Sequence, residues 1–134
     1  MSWTVPGLPL ATVTRVVLVS WDEFTRGLND EDGELVKMYR DAALALDGVA
    51  ERVHRSEVQY VRARIFTAGF IKSHRLEIAI DLLRSVEHPL LRASFPTTQR
   101  VLTHRFTVSS SDEFDGSIRS LLEEAYETVG MGTR

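Results

Sequence analysis

"EVQYVRARIFTAGFIKSHRLEIAIDLL", residues 57–83, is where the apolar period of the chain becomes two. Leu76, Ile78, Ile80 and Leu82 fall on one side of an extended backbone, with Arg75, Glu77, Ala79 and Asp81 opposite. That alternation is what a strand produces when one face is buried and the other is wet. Three successive strands are predicted, over 57–61, 64–72 and 75–83. They are joined at Arg62-Ala63 and at Lys72-Ser73-His74. Connections this short join antiparallel neighbours.

Working outward, "RVLTHRFTV" (100–108) predicts a fourth strand, with Leu102, His104, Phe106 and Val108 facing inward. Between it and the meander, "EHPLLR" predicts a short helix with Pro89 in its first turn. On the N-terminal side, Leu35, Met38, Tyr39, Ala42, Ala45 and Leu46 recur at three and four residues. They predict an amphipathic helix over about 31–47, capped by Asn29 or Asp30 and stopped at Gly48. Ser20 and Glu23 have the spacing of a capping box, as do Ser110 and Glu113. The second box predicts a closing helix from about 112 to 129, its buried stripe running from Phe114 through Ile118, Leu121, Leu122 and Ala125 to Tyr126. Residues 1–19 read as a tail ending in a short strand at Arg15–Val19, and 20–134 as one domain. The expected fold is α+β and two-layered: a four-stranded antiparallel sheet with two main helices on one face.

Composition removes whole classes of chemistry. The chain has no cysteine, so thiol catalysis, disulfides and cysteine-held metals are excluded. The apolar stretch near the N-terminus carries Pro6, Pro9 and Arg15 and is too short to span a bilayer, so the expected compartment is the cytoplasm. The charge is uneven: Arg52–Ser110 balances to +6, whereas the rest of the chain balances to −9. A basic sheet against acidic helices follows.

That asymmetry directs the search for a site. Arginines beside Tyr60, Phe66 and Phe70 could serve single-stranded nucleic acid. However, "RARIFTAGF" lacks the glycine–aromatic order of an RNA-recognition strand, and the overall pI is about 5.8. Burial of Phe66 and Phe70 in the core, with arginines solvating the far face, is the plainer expectation. Arg62, Arg64, Arg75 and Arg105 together suit capture of a carboxylate or phosphate. Pairing of Arg75 and Arg105 with Glu77 and Asp81 competes with that use. His104 points inward by parity, and His88 precedes a proline as a cap or turn residue. The histidines show no metal-ligand spacing. The serines at 109–111 lack the glycines of a nucleophile elbow, and Glu123 and Glu124 diverge around a helix.

The motifs Val86-Glu87-His88-Pro89, His104-Arg105-Phe106, Glu113-Phe114-Asp115 and Glu124-Ala125-Tyr126 carry a resemblance. Over roughly Ser20 to Gly130 the chain resembles the bacterial family called "domain of unknown function 5655". The resemblance implies a small α+β domain that binds a ligand on its sheet, with no assigned chemistry. Some members begin with W-T-C-P; this chain reads Trp3-Thr4-Val5-Pro6, without the cysteine. The resulting expectation is a binding or accessory module, without cofactor or metal, whose basic open face takes an anionic small molecule or a protein partner. Its candidate residues are Arg62, Arg64, Arg75, His104 and Arg105. The alternatives are a nucleic-acid-associated domain and an enzyme using His104 as a general base.

Overall fold

In the computed structural model, residues 17–132 are described. Ser20 Oγ accepts from the Glu23 N–H at 3.0 Å and starts α1 (Trp21–Thr25). Asn29 Oδ1 accepts from the Asp32 N–H at 2.8 Å and starts α2 (Asp30–Leu44). Three acids in the first turn of α2 complement its dipole. This helix ends three residues short of the expected 47. Its buried face is Leu35, Val36, Tyr39 and Ala43, rotated from the predicted stripe. Met38 and Ala42 are only half-buried and Ala45 is exposed, because that flank of α2 faces a cleft instead of the sheet.

The sheet has six antiparallel strands where four were expected: β1 (Ala50–Val53), β2 (Val58–Val61), β3 (Ile65–Lys72), β4 (Arg75–Leu82), β5 (Leu91–Pro96) and β6 (Leu102–Val108). Their order is β1-β2-β3-β4-β6-β5. The chain leaves β4, passes over one position to form the edge strand β5, then returns by a hairpin as β6. The short helix expected after Pro89 does not form. Leu91 N donates to His88 O at 3.0 Å to close a turn, and the next residues pair with the free edge of β6. Of Arg15–Val19, residues 15 and 16 lie outside the described residues, as does the rest of the tail to residue 16. Leu18 makes one antiparallel bridge with His54, and Val19 N donates to Val53 O at 2.9 Å.

The closing helix begins later than predicted. Ser110 makes no side-chain cap bond, and Glu113 Oε1 accepts from the Ser109 N–H. A 3-10 turn at Ser111–Glu113 precedes α3 (Gly116–Glu127), which Asp115 caps through the N–H groups of Ser117 and Ile118. Asp115 is thus the stronger competitor for free N–H groups at this end. Of the predicted apolar stripe, Phe114, Ile118, Leu121, Leu122 and Ala125 are buried, whereas Tyr126 is half-buried.

Both long helices cover the same sheet face. Leu76, Ile78, Ile80 and Leu82 of β4 and Phe106 and Val108 of β6 share one core with Leu35, Val36, Tyr39, Ile118 and Leu122. Two local devices set its shape. Tyr60 pairs with Thr67 but Val61 pairs with Ile65, so Phe66 has no opposite number in β2. This bulge lets Phe66 and Thr67 both enter the core, where pure alternation would put one outside. Beyond it, Gly69 opens room for Tyr39. A Cβ there would lie 2.8 Å from the Tyr39 ring and 2.9 Å from Ile78 Cγ2. The Tyr39 hydroxyl donates to Thr67 Oγ1 at 2.9 Å, since the Thr67 proton goes to Ala79 O.

Candidate functional site

Strand register arranges in rows the face that no described helix covers. The central row runs Arg52, Gln59, Ala68, Ala79, Arg105, Ala93 across all six strands. Its adjacent alanines form a shallow floor, because a methyl rises far less than its neighbours. Phe70, Glu77 and Thr107 border that floor on one side, and Asp81 and Thr103 on the other.

The acids on this face are engaged by hydroxyls. Thr107 Oγ1 donates to Glu77 Oε1 at 2.8 Å, and Thr103 Oγ1 donates to Asp81 Oδ1 at 2.7 Å. Because the Thr103 proton is committed, the short contact between Thr97 and Thr103 has Thr97 as its donor. Arg64 Nη2 lies 3.9 Å from Asp81 Oδ2. Burial pushes the Asp81 carboxyl above its ordinary value, and the Thr103 hydroxyl and Arg64 guanidinium oppose that shift. Arg105 lies 6.0 Å over the Phe70 ring, within cation–π range. Among the described residues, no carboxylate lies within ion-pair distance of Arg52, Lys72, Arg75 or Arg105. The expected pairing of Arg75 and Arg105 with Glu77 and Asp81 is therefore not formed.

The five sequence candidates divide between the two faces. Arg64, Arg75 and Arg105 stand on the open side. Arg62 turns to the helices: its Cζ lies 4.2 Å from the Tyr126 ring and its Nη1 donates to Tyr126 O at 3.3 Å. His104 is fully buried on the core face, as parity implied. Its Nδ1 is 3.4 Å from Ile80 O, and its Nε2 has no partner among the described residues. Phe70, expected in the core with Phe66, is instead half-buried on the open face. The bulge at Phe66 breaks their shared parity, and a sequence pattern carries no mark of it. Asp81 enters the sequence reading only as a partner for arginine, although its side chain is just 14% exposed on this face.

One serine–histidine contact has the wrong polarity for nucleophilic catalysis. His88 Nδ1 accepts from the Leu90 N–H at 3.1 Å, so its Nε2 donates to Ser117 Oγ at 2.7 Å. The Ser117 proton goes to Asp115 Oδ1 at 2.5 Å. A nucleophilic serine instead donates to the imidazole. His88 thus holds the capped end of α3. The Ser117 hydroxyl and the Ile118 N–H hold the Asp115 carboxyl below its usual range.

Among the described residues, no three histidine, aspartate or glutamate side chains converge as a metal site, and no helix is long and apolar enough to cross a membrane. A cavity of about 640 Å³ opens on the helix side of the molecule, away from the basic face. No curated protein and no solved structure matches the chain. Residues 22–129 match the family described as Domain of unknown function (DUF5655), and the chain belongs to that family.

Proposed function

We propose that this domain is a non-catalytic binding module whose open sheet face takes a small anionic ligand. The observation that carries the reading is Arg105. Its guanidinium lies over Phe70 beside the Ala68–Ala79 floor, while the nearby carboxylates are held by threonines and Arg64. At 6.0 Å from the ring the guanidinium is drawn towards Phe70 without being spent on a carboxylate. It can meet a carboxylate or phosphate with two parallel hydrogen bonds. Arg75 and Arg52 extend the positive field along the face. His104 does not share this space, which argues against a base acting on a ligand here.

The test is titration of the protein with pyrophosphate, followed by amide shifts at low and physiological salt. Binding should weaken with salt, because screening acts over about 10 Å at 0.1 M. Arg105→Ala should weaken it by about fivefold or more, as expected for loss of a charge-assisted hydrogen bond. Arg62→Ala, on the helix side, should leave it unchanged. Equal losses in the two variants, or salt-independent binding, would move the site off this face. Tight binding of a short single-stranded oligonucleotide would favour the nucleic-acid reading instead.

A further inference from the structure

The cavity on the helix side has its own chemistry. It lies between α2 and the link Ser109–Ser111, with His74 and Arg119 also on its walls. Met38, Ala42 and Ala45, the flank of α2 that the sheet does not bury, form its apolar floor beside the edge of the buried Leu35. Its volume of about 640 Å³ falls within the few hundred to one thousand Å³ typical of small-molecule sites, about 300–1,000 Å³.

Carboxylates outnumber cations around that floor, and the α2 dipole offsets only part of the charge on Glu31 and Asp32. Lys37 is tied to Asp41 at 2.9 Å, and Arg119 lies 4.8 Å over the Phe114 ring. Among the described residues, Glu31 and Glu34 have no cationic partner. They stand one helical turn apart beside Asp32. Asp32 is only 5% exposed, and the one hydrogen bond its side chain accepts among the described residues comes from His74 Nδ1 at 2.8 Å. A carboxylate offers about four acceptor sites, and burying one is costly unless cations or donors compensate. The compensating imidazole is itself 78% exposed, so it can move aside at little cost.

We propose that this cleft binds a small organic amine, its ammonium at the Glu31–Asp32–Glu34 end and its apolar body along Met38 and Ala42. The apolar floor supplies affinity, the carboxylates select the charge, and Ser110, whose side chain caps nothing, faces the ligand from the opposite wall. The site is separate from the anion-binding face and stands whether or not that reading holds.

Phenethylamine is the probe, titrated into the isotopically labelled protein and followed by backbone amide shifts. Ethylamine keeps the charge without the body, and 3-phenylpropionate keeps the body with the charge reversed. Phenethylamine should saturate with a dissociation constant of about 1 mM, near what nine non-hydrogen atoms deliver in a fitting pocket. Shifts should centre on Leu35, Met38, Ala42 and Ser109–Ser111, and neither control should saturate. Ala45→Trp should abolish binding by filling the cleft from an exposed position. Glu31→Gln/Glu34→Gln should weaken it about fivefold, and keeps the test valid if the tryptophan variant misfolds. Neither variant should alter the response to pyrophosphate. The inference fails if phenethylamine does not saturate, if either control binds equally well, or if the glutamine pair leaves its affinity unchanged.

Discussion

The two faces of β4 are built by opposite rules. On one, Leu76, Ile78, Ile80 and Leu82 are all fully buried beneath two helices. On the other, Glu77 and Asp81 are held by threonines of β6 around a floor of alanine. The first face stabilises the fold through apolar area removed from water, which no single partner decides. The second contributes through a few directional contacts, each small on a half-exposed surface. Substitutions on the core face should therefore change stability strongly, and those on the open face should change binding.

The largest expected contrast lies within two residues of β6. Phe106 is fully buried, so Phe106→Ala should cost about 3–5 kcal/mol. Arg105→Ala, pointing the other way, should cost under about 1 kcal/mol while weakening the anion response. Equal losses in urea melts would break the contrast. A smaller one concerns close packing. Gly69→Ala places a methyl against Tyr39 and Ile78 and should cost about 1–3 kcal/mol. Ala79→Gly on the open face should cost about 0.5–1 kcal/mol, from backbone freedom alone.

This contrast also explains what the sequence made legible. Alternation identified β4 and β6 and the facing of His104 and Phe106, because burial on one side writes a period into the residues. The edge strand β5 has no such period: Arg92 to Pro96 are all exposed, so only the open edge of β6 specifies its conformation. β1 is as obscure, with four residues and a charge at two of them. For the candidate arginines, strand parity placed Arg75 and Arg105 on the open face but gave no facing for Arg62. Arg62 lies in a connection, where strand parity does not apply, and Phe70 follows a bulge.

Asp81 tests the open face by pH. Its folded carboxyl titrates above the ordinary value, chiefly through burial. The folded state therefore holds a proton that the unfolded chain has already released, and stability falls as pH rises through that window. The window opens near the unfolded value of about 3.9 and closes above the raised folded value. Asp81→Asn removes this titration, so the variant should gain on the wild type as pH rises from about 4 towards neutrality. Glu124 should act in the opposite sense. Arg84 holds its carboxyl below the ordinary value, so its contribution is present above the unfolded value and lost as pH falls through the folded one. Chemical melts across pH would separate the two, and a parallel course for wild type and Asp81→Asn would remove Asp81 from the account.

The smallest expected effect sits at the turn that joins β3 to β4 and sets both faces in register. Ser73 and His74 have φ of 52° and 64°, the left-handed pair of a type I′ hairpin, yet neither is glycine. An L-residue there costs about 1–2 kcal/mol, whereas glycine costs about 0.5–1 kcal/mol of extra unfolded-state freedom. Ser73→Gly should therefore stabilise the domain by up to about 1 kcal/mol. His74→Gly relieves the same strain but removes the contact to Asp32, which should cancel the gain. Denaturation midpoints of the two variants would then differ by roughly the worth of that contact. If both rise equally, the His74–Asp32 contact contributes nothing to folding, and the left-handed strain at the turn is the whole of the effect.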